Sequence, residues 1–334
     1  MSFETALEMH RNGQLESAEA AYRDVLAEDD DAESAYMLGV LRHQRGDDSD
    51  AEALIRRAIA RNPETARYHL ALGGVQMHRG EEDAARASFE TALSLDPNSA
   101  EAHSTLAHLS LIEGDATSAE NRFKVGRRVN EDDPLMLLGL GNVYLERNDP
   151  VNAAKFLARA AERKPDDGAI QCSLGRALFD QGAFAIAEQA FVNALKNRPD
   201  LSLAKLYLAR TKMRQDKNED AQALFTQLLQ DGQQEFGANA GLGDVARKRK
   251  QIVKASRFYR RALEIDPSHP GAINASALCM ELRGDLEAAT DCLARGLQHA
   301  PEADDLRVSL AGLLDRLGRT DEAARVRADV RTIQ

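Results

Sequence analysis

The sequence predicts an all-α fold, a solenoid of about ten antiparallel helix pairs, and three columns of residues carry that expectation. Nine alanines recur every 34 residues, at Ala51, Ala85, Ala119, Ala153, Ala187, Ala221, Ala255, Ala289 and Ala323. Thirteen residues before each runs a second column, Leu38, Leu72, Leu106, Leu140, Leu174, Leu208, Leu242, Ser276 and Leu310. Each of its members precedes a small residue, namely Gly39, Gly73, Ala107, Gly141, Gly175, Ala209, Gly243, Ala277 and Ala311. The third column is Gly46, Gly80, Gly114, Asn148, Gly182, Asp216, Lys250, Gly284 and Gly318. It stands where a helix must stop, because Gly and Asn accept the left-handed conformation that closes one. Repetition at this period signals stacked small units rather than separate globular domains.

Within each repeat the first helix carries the Leu-small pair and stops at the third column. The second helix carries its alanine with partners at i+4 and i+7, as in Ala85, Phe89 and Ala92, or Ala187, Phe191 and Ala194, which share one face. A proline column (Pro63, Pro97, Pro165, Pro199, Pro267, Pro301) ends that helix, since proline offers no N–H and disfavours a helical predecessor. Small residues on both helices let the axes approach, while Phe89, Phe123, Phe191, Phe225 and Tyr259 fill the space against the neighbouring pair. One pair cannot bury its own apolar face, so stability must come from the stack. The expected repeats are 1–31, 32–65, 66–99, 100–133, 134–167, 168–201, 202–235, 236–269, 270–303 and 304–334, in a single domain over 1–334. Glu131 and Gln233 replace the closing proline; there the helix runs on or the turn loosens, and Asp231-Gly232 points to a bend near 231–237.

Composition agrees with this architecture. Of 334 residues 43% are hydrophobic, yet only 5% are aromatic and none is Trp, so the core must be built from Ala and Leu in close helix contacts. Nine prolines and no Ser/Gly tract leave no linker to separate domains. The N-terminal segment lacks a basic region followed by an apolar stretch, and no run of 18 apolar residues occurs, which predicts a cytoplasmic protein without membrane insertion. Cys172, Cys279 and Cys292 are odd in number and lack CxxC spacing, which argues against a disulfide framework and against zinc; they are expected to be reduced core or groove residues. A net charge of −11 sets the whole molecule against nucleic acid and anionic membrane.

Leu-Gly, a later Ala, an aromatic four residues on, another small residue and a terminal Pro, at period 34, together resemble the tetratricopeptide repeat. The frame holds in strict phase from Ala32 to Gln334, and an earlier copy with Gly13, Ala18 and Tyr22 precedes it one residue out of phase. The chain departs from the family in having no early Trp in any repeat. The resemblance implies a right-handed superhelix whose first helices line the concave surface and whose second helices face outward. The run Gln14-Leu15-Glu16-Ser17-Ala18-Glu19-Ala20-Ala21-Tyr22 is similar to bacterial arrays that precede glycosyltransferase, sulfotransferase or dioxygenase domains. The sequence stops inside the second helix of the last repeat, which fits either a shortened array or an end capped by Arg325, Arg327, Asp329 and Arg331. An open last repeat would also offer a surface for self-association.

Candidate chemistry is sparse. Gly237-Ala238-Asn239-Ala240-Gly241-Leu242-Gly243-Asp244 is Gly-rich, but no strand precedes it and no Lys-Ser/Thr follows, so it reads as helix columns and not as a phosphate loop. Gly139 and Gly241 share one place in their repeats, on the expected concave face, where a ligand backbone could approach closely. His10 and His43 are equivalent, with His78 and His108 near the same face. A zinc site there would need side chains converging from two or three repeats, so these histidines are read as groove residues meeting ligand or water, with no metal and no cofactor. No HExxH, GxSxG, Cys-His pair or isolated carboxylate dyad stands out, and the chain is expected not to be an enzyme.

Charge distribution points to a binding region. Residues 1–60 hold 14 acidic and 6 basic side chains, whereas residues 201–261 hold 6 acidic and 13 basic ones. The densest run, Arg247-Lys248-Arg249-Lys250, is by itself a solvated turn. The tetratricopeptide resemblance places Arg176, Arg210, Arg214 and Arg247 on first-helix positions that face the groove, with Arg210 and Arg214 projecting together at i, i+4 and Lys248 beside them. Phe179, Tyr207 and Met213 lie around these cations and can add apolar contact. Two peptide-binding modes of such repeats, the Lys/Asn clamp on a C-terminal carboxylate and the asparagine ladder, find only Asn142 at a matching place, so neither transfers. The sequence therefore predicts a scaffold or adaptor that holds a protein segment, acidic by charge complementarity, near its sixth to eighth repeats. Its rivals are the substrate-selecting array of a larger transferase and a reader of single-stranded RNA, the latter opposed by the net charge.

Overall fold

The computed structural model describes residues 2–328, among which there are twenty α-helices and no strand. Asp329 and Arg331, two of the charges expected at the C-terminal end, lie outside the described residues. The chain forms two compact units, residues 1–163 and residues 164–334.

The first unit holds five helix pairs. They are α1 (Phe3–Arg11) with α2 (Leu15–Glu28), α3 (Ala32–Gln44) with α4 (Asp48–Arg61), and α5 (Ala66–His78) with α6 (Glu82–Leu95). After them come α7 (Ala100–Ile112) with α8 (Ala116–Gly126) and α9 (Pro134–Glu146) with α10 (Pro150–Arg163). The second unit repeats the plan with α11 (Gly168–Asp180) and α12 (Phe184–Asn197), α13 (Ser202–Arg214) and α14 (Asn218–Gln230), and α15 (Glu235–Lys248) and α16 (Ile252–Ile265). It closes with α17 (Pro270–Glu281) and α18 (Leu286–His299), then α19 (Asp304–Arg316) and α20 (Thr320–Ala328). The fold is an all-α solenoid of paired helices.

Each column has a physical task. All nine alanines of the 34-residue column are fully buried, as is Ala18 in the first pair, because two helix backbones meet there. The small residue after the leucine receives the large residue of its own second helix. A Cβ at Gly73 would lie 2.7–2.9 Å from the Phe89 ring, and one at Gly175 would lie 2.6–2.8 Å from Phe191. The helix-stopping column has positive φ throughout, including the non-glycine members Asn148, Asp216 and Lys250 at 55°, 60° and 60°. There the next N–H returns to the carbonyl five residues back, as from Asp47 to Arg42 and from Gln251 to Ala246, which satisfies an orphan carbonyl of the ending helix.

The proline turns carry a further device that no sequence column revealed. His69 Nε2 donates to the Pro63 carbonyl, His103 Nε2 to Pro97 and Gln171 Nε2 to Pro165, each from six residues downstream. Arg307 makes the same closure on Pro301. Two of the eight histidines are thus turn clasps. Where the proline is missing, the second helix does not run on. The helix α8 ends at Gly126 and a turn from Arg127 to Asp133 follows; α14 ends at Gln230, and Gly232 and Gln234 take positive φ before α15.

Carboxylates on several second helices tie their repeat to the next. Glu19 accepts from Arg42 and Arg45, Glu52 pairs with Arg79, Glu120 with Arg147 and Tyr144, and Glu188 with Lys212 and Lys217. Hydrogen bonds from Lys124 first, then Arg147 and Tyr144, hold the Glu120 carboxyl down at about 2 against burial; the Glu188 carboxyl also falls to about 2, where burial opposes the shift and the two lysines prevail.

Candidate binding groove

In the second unit, the first helices α11, α13, α15 and α17 side by side line a cavity of about 370 Å³. Phe179, Arg210, Met213, Arg214, Phe236 and His269 are among its walls, with Tyr259 reaching in from α16. A neighbouring cavity of about 600 Å³ shares Asp244, Gly271 and Ala275 with it and continues along α17 and α19 to Arg316. First-helix residues thus line the groove because every second helix spends its small face on packing.

The structure brings most of the expected residues together. The Arg176 and Arg210 guanidiniums lie over the Tyr207 ring, 5.6 and 5.3 Å from its centroid. Phe179 meets Tyr207 edge-on at 5.7 Å and Phe184 at 5.5 Å, and Arg214 covers Phe184 at 4.8 Å. The result is a ladder of three guanidiniums and three rings. Stacking holds each cation in place, and of the three Arg210 and Arg214 line the cavity. Among the described residues these three arginines form no ion pair, although Arg176 and Arg210 both act on Asp180, whose carboxyl is raised above its ordinary value by desolvation. The Arg176 Nε is buried without a hydrogen-bond partner.

Arg247 and Lys248 are placed differently. Arg247 lines the neighbouring cavity, pairs with Asp244 at 3.3 Å and donates to the Tyr259 hydroxyl at 3.4 Å, while that hydroxyl donates to Asp244 at 2.7 Å. Lys248 donates to the Met213 carbonyl at 2.9 Å and pairs with Asp216 at 2.7 Å, and Arg249 pairs with Glu219. Lys248 and Arg249 of the densest basic run therefore join their repeat to the preceding one, while Arg247 is engaged within its own. Asn142 sits on α9 in the first unit, with its Oδ1 buried and unpartnered.

Two expectations need correction. Gly139 and Gly241 are not left empty for a ligand backbone as their shared position implied, although Gly241 does line the groove cavity. At both, the place of the missing Cβ is filled by a ring of the preceding repeat, Phe123 for Gly139 and Phe225 for Gly241, so glycine is there for packing. The histidines, read as groove contacts to ligand or water, are tied internally: His10 to the Tyr22 hydroxyl at 3.5 Å, and His108 to the Ser104 carbonyl at 2.7 Å with its ring edge-on to Phe123. His43 and His78 converge on Asp48. Periodicity missed Phe184 and Phe236, which stand in the first turns of their helices outside every repeat column and yet shape the groove.

Other chemistry finds little footing. Cys172 and Cys279 are buried and Cys292 is half-buried, all free, and burial pushes each thiol above its ordinary value, away from a reactive thiolate. No helix among the described residues is long and apolar enough to cross a membrane.

Comparison with known proteins agrees with the repeat geometry. Residues 4–204 match the family described as Cilia and flagella-associated protein 70 C-terminal domain, and residues 206–270 match the tetratricopeptide repeat. No curated protein sequence matches the chain. Among solved structures, a tetratricopeptide repeat protein from Parabacteroides merdae is 17% identical with TM-score 0.55, over 75% of this chain and 98% of that one. Yeast Tom70 is 14% identical with TM-score 0.54, over 98% and 91%. The human IFIT1 dimer with m7Gppp-AAAA is 16% identical with TM-score 0.58, over 88% and 75%. At these identities the structures establish the fold alone. The columns, the paired helices and the family matches lead to one conclusion: the chain is a tetratricopeptide-repeat protein and belongs, over residues 4–204, to the family described as Cilia and flagella-associated protein 70 C-terminal domain.

Proposed function

We propose that the protein is a non-catalytic scaffold or adaptor that holds an acidic, partly apolar protein segment in the groove of its second unit. The tetratricopeptide fold supports a protein-interaction role in general. The observation that carries the finer reading is the ladder of Arg176, Arg210 and Arg214 on Tyr207 and Phe184 beside the cavity of about 370 Å³. Elsewhere arginines at repeat joints meet carboxylates, as Arg57 and Arg61 do on Asp30, or Arg159 and Arg163 on Asp132. The ladder arginines are held by rings instead, so their donors stay directed to a ligand, and a guanidinium fork suits a carboxylate. Phe179, Met213 and Phe236 supply apolar contact between the charges. Arg247 and Lys248 act as rim charges already engaged within the protein.

The three free cysteines support a reducing, cytoplasmic setting. Selection from a random peptide display library tests the reading. Enrichment of segments that combine Asp or Glu with aromatic or aliphatic residues supports it, and enrichment without acidic residues refutes it. The same protein is to be offered single-stranded RNA, because the similar human IFIT1 structure holds m7Gppp-AAAA. Salt-sensitive RNA binding with no acidic peptide retained would favour that rival, which the net charge of −11 opposes.

A further inference from the structure

We propose that His43, Asp48 and His78 form a binding site for a divalent transition-metal ion of the zinc class, at the joint between the second and third repeats. His43 lies in the last turn of α3, and the reversal at Gly46, with φ of 81°, brings the first residue of α4, Asp48, back beside it. His78 is the last residue of α5, the next first helix along. One ligand atom from each of the three residues lies within 4.8 Å of the others. The His43 Nδ1 is 2.7 Å from one Asp48 oxygen, and the His78 Nδ1 contacts the other oxygen. The two rings meet edge to face at 5.4 Å.

Two imidazoles and a carboxylate are the donors that suit zinc and its neighbours. Three protein ligands leave one position of a tetrahedral ion open, and the 63% exposed His78 side chain puts that position toward solvent. Asp48, by contrast, is only 13% exposed, so the carboxylate is held in place from within the fold. Two neighbouring acids are already matched: Asp47 pairs with Arg42, and Glu52 pairs with Arg56 and Arg79. Asp48 is left to the two rings. In the metal-free protein each ring N–H donates to the carboxylate; in the bound form the ion takes the place of those protons, and each neutral ring carries its proton on the other nitrogen.

Packing does not demand these residues. One repeat on, the three places are held by Met77, Glu82 and Ile112, and two repeats on by Leu111, Ala116 and Glu146. The cluster is therefore a local replacement of an otherwise apolar or acidic position, made at one joint. An ion there would link α3 and α4 to α5 and fix one repeat on the next.

The test uses the full chain without a histidine tag, stripped with chelator and titrated with Zn²⁺ by calorimetry. One ion per chain is expected, with a rise in melting temperature on Zn²⁺ addition. His43→Ala, Asp48→Asn and His78→Ala should each weaken binding tenfold or more, the scale reached even by outer-shell partners of bound metals. His69→Ala and His299→Ala, histidines outside the cluster, should leave affinity unchanged. Nitrogen NMR of the wild-type imidazoles needs no variant and should show both His43 and His78 perturbed by Zn²⁺. Absence of saturable binding, binding that survives His43→Ala and His78→Ala, or imidazole spectra in which these two rings do not respond would each overturn the proposal.

Discussion

The glycines of the first helices offer a test in which one substitution should act with opposite sign at two places. Replacing a helix-interior glycine by alanine stabilises by about 0.5–1 kcal/mol when the new methyl meets nothing, because alanine loses less backbone freedom on folding. Gly74, in the interior of α5, has no heavy atom within 4 Å of where its Cβ would stand. Gly74→Ala should therefore raise stability by about that amount. At Gly139 on α9 the methyl would overlap the ring of Phe123, which is fully buried. Overpacking of this kind costs about 1–3 kcal/mol. Set against the same helical gain, Gly139→Ala should end about 0–2.5 kcal/mol less stable than the parent. The two variants should differ by about 1–3 kcal/mol in urea unfolding followed by circular dichroism. Combining Gly139→Ala with Phe123→Leu should recover part of the loss, since the smaller side chain vacates the ring edge. Equal and stabilising effects at both sites would refute the claim that Gly139 serves packing.

Other consequences follow from the same geometry. Glu120, with a side chain only 11% exposed, has a folded pKa of about 2 against an ordinary 4.5, so its contribution is fully present above the unfolded value and is lost as pH falls from about 4.5 toward 2. Glu120→Gln should cost about 1–2 kcal/mol at pH 7, discounted for the exposure of Lys124 and Arg147, and almost nothing near pH 2; unfolding curves at both pH values check it. Lys250 occupies the left-handed place that glycine holds in most repeats. Lys250→Gly should gain about 0.5–1 kcal/mol, the relief of a left-handed side chain partly offset by greater unfolded-state freedom, and differential scanning calorimetry reads it. Ala187→Phe should lose about 1–3 kcal/mol by overpacking where α11 and α12 meet, and an unchanged melting midpoint would mean that the helix faces are misassigned.

The repeat was legible because every column performs a backbone or close-packing task that only a few residue types can do. Positive φ at Gly46, Asn148 and Lys250, and complete burial at Ala51 through Ala323, could be anticipated from spacing alone. The groove was legible only in part. Its arginines and Tyr207 stand on first-helix positions, but whether a cation is free or paired depends on residues far off in sequence. Lys248 finds Asp216, 32 residues earlier, whereas Arg214 lies over the Phe184 ring and, among the described residues, makes no ion pair. Gly139 misled because a small residue serves equally for a ligand's approach and for a neighbouring ring, and the ring lies in another repeat. The turn clasps at His69, His103, Gln171 and Arg307 share one place of the 34-residue period but differ in residue type, which hides the column, and the convergence of His43, Asp48 and His78 depends on side-chain reach across turns that no periodicity encodes.

The central claim is that the ladder arginines of the second unit hold an acidic segment. The most direct measurement is the affinity of a display-selected acidic peptide, by fluorescence anisotropy at several salt concentrations, for the parent chain and for the variant carrying Arg210→Glu and Arg214→Glu. The account predicts that the variant, folded by circular dichroism, loses several kcal/mol of affinity where the pairs are desolvated, and that the salt dependence falls with it. Unchanged affinity and unchanged salt dependence in the folded variant would contradict the account and move the search to the acidic first unit or to the outer faces of the second helices.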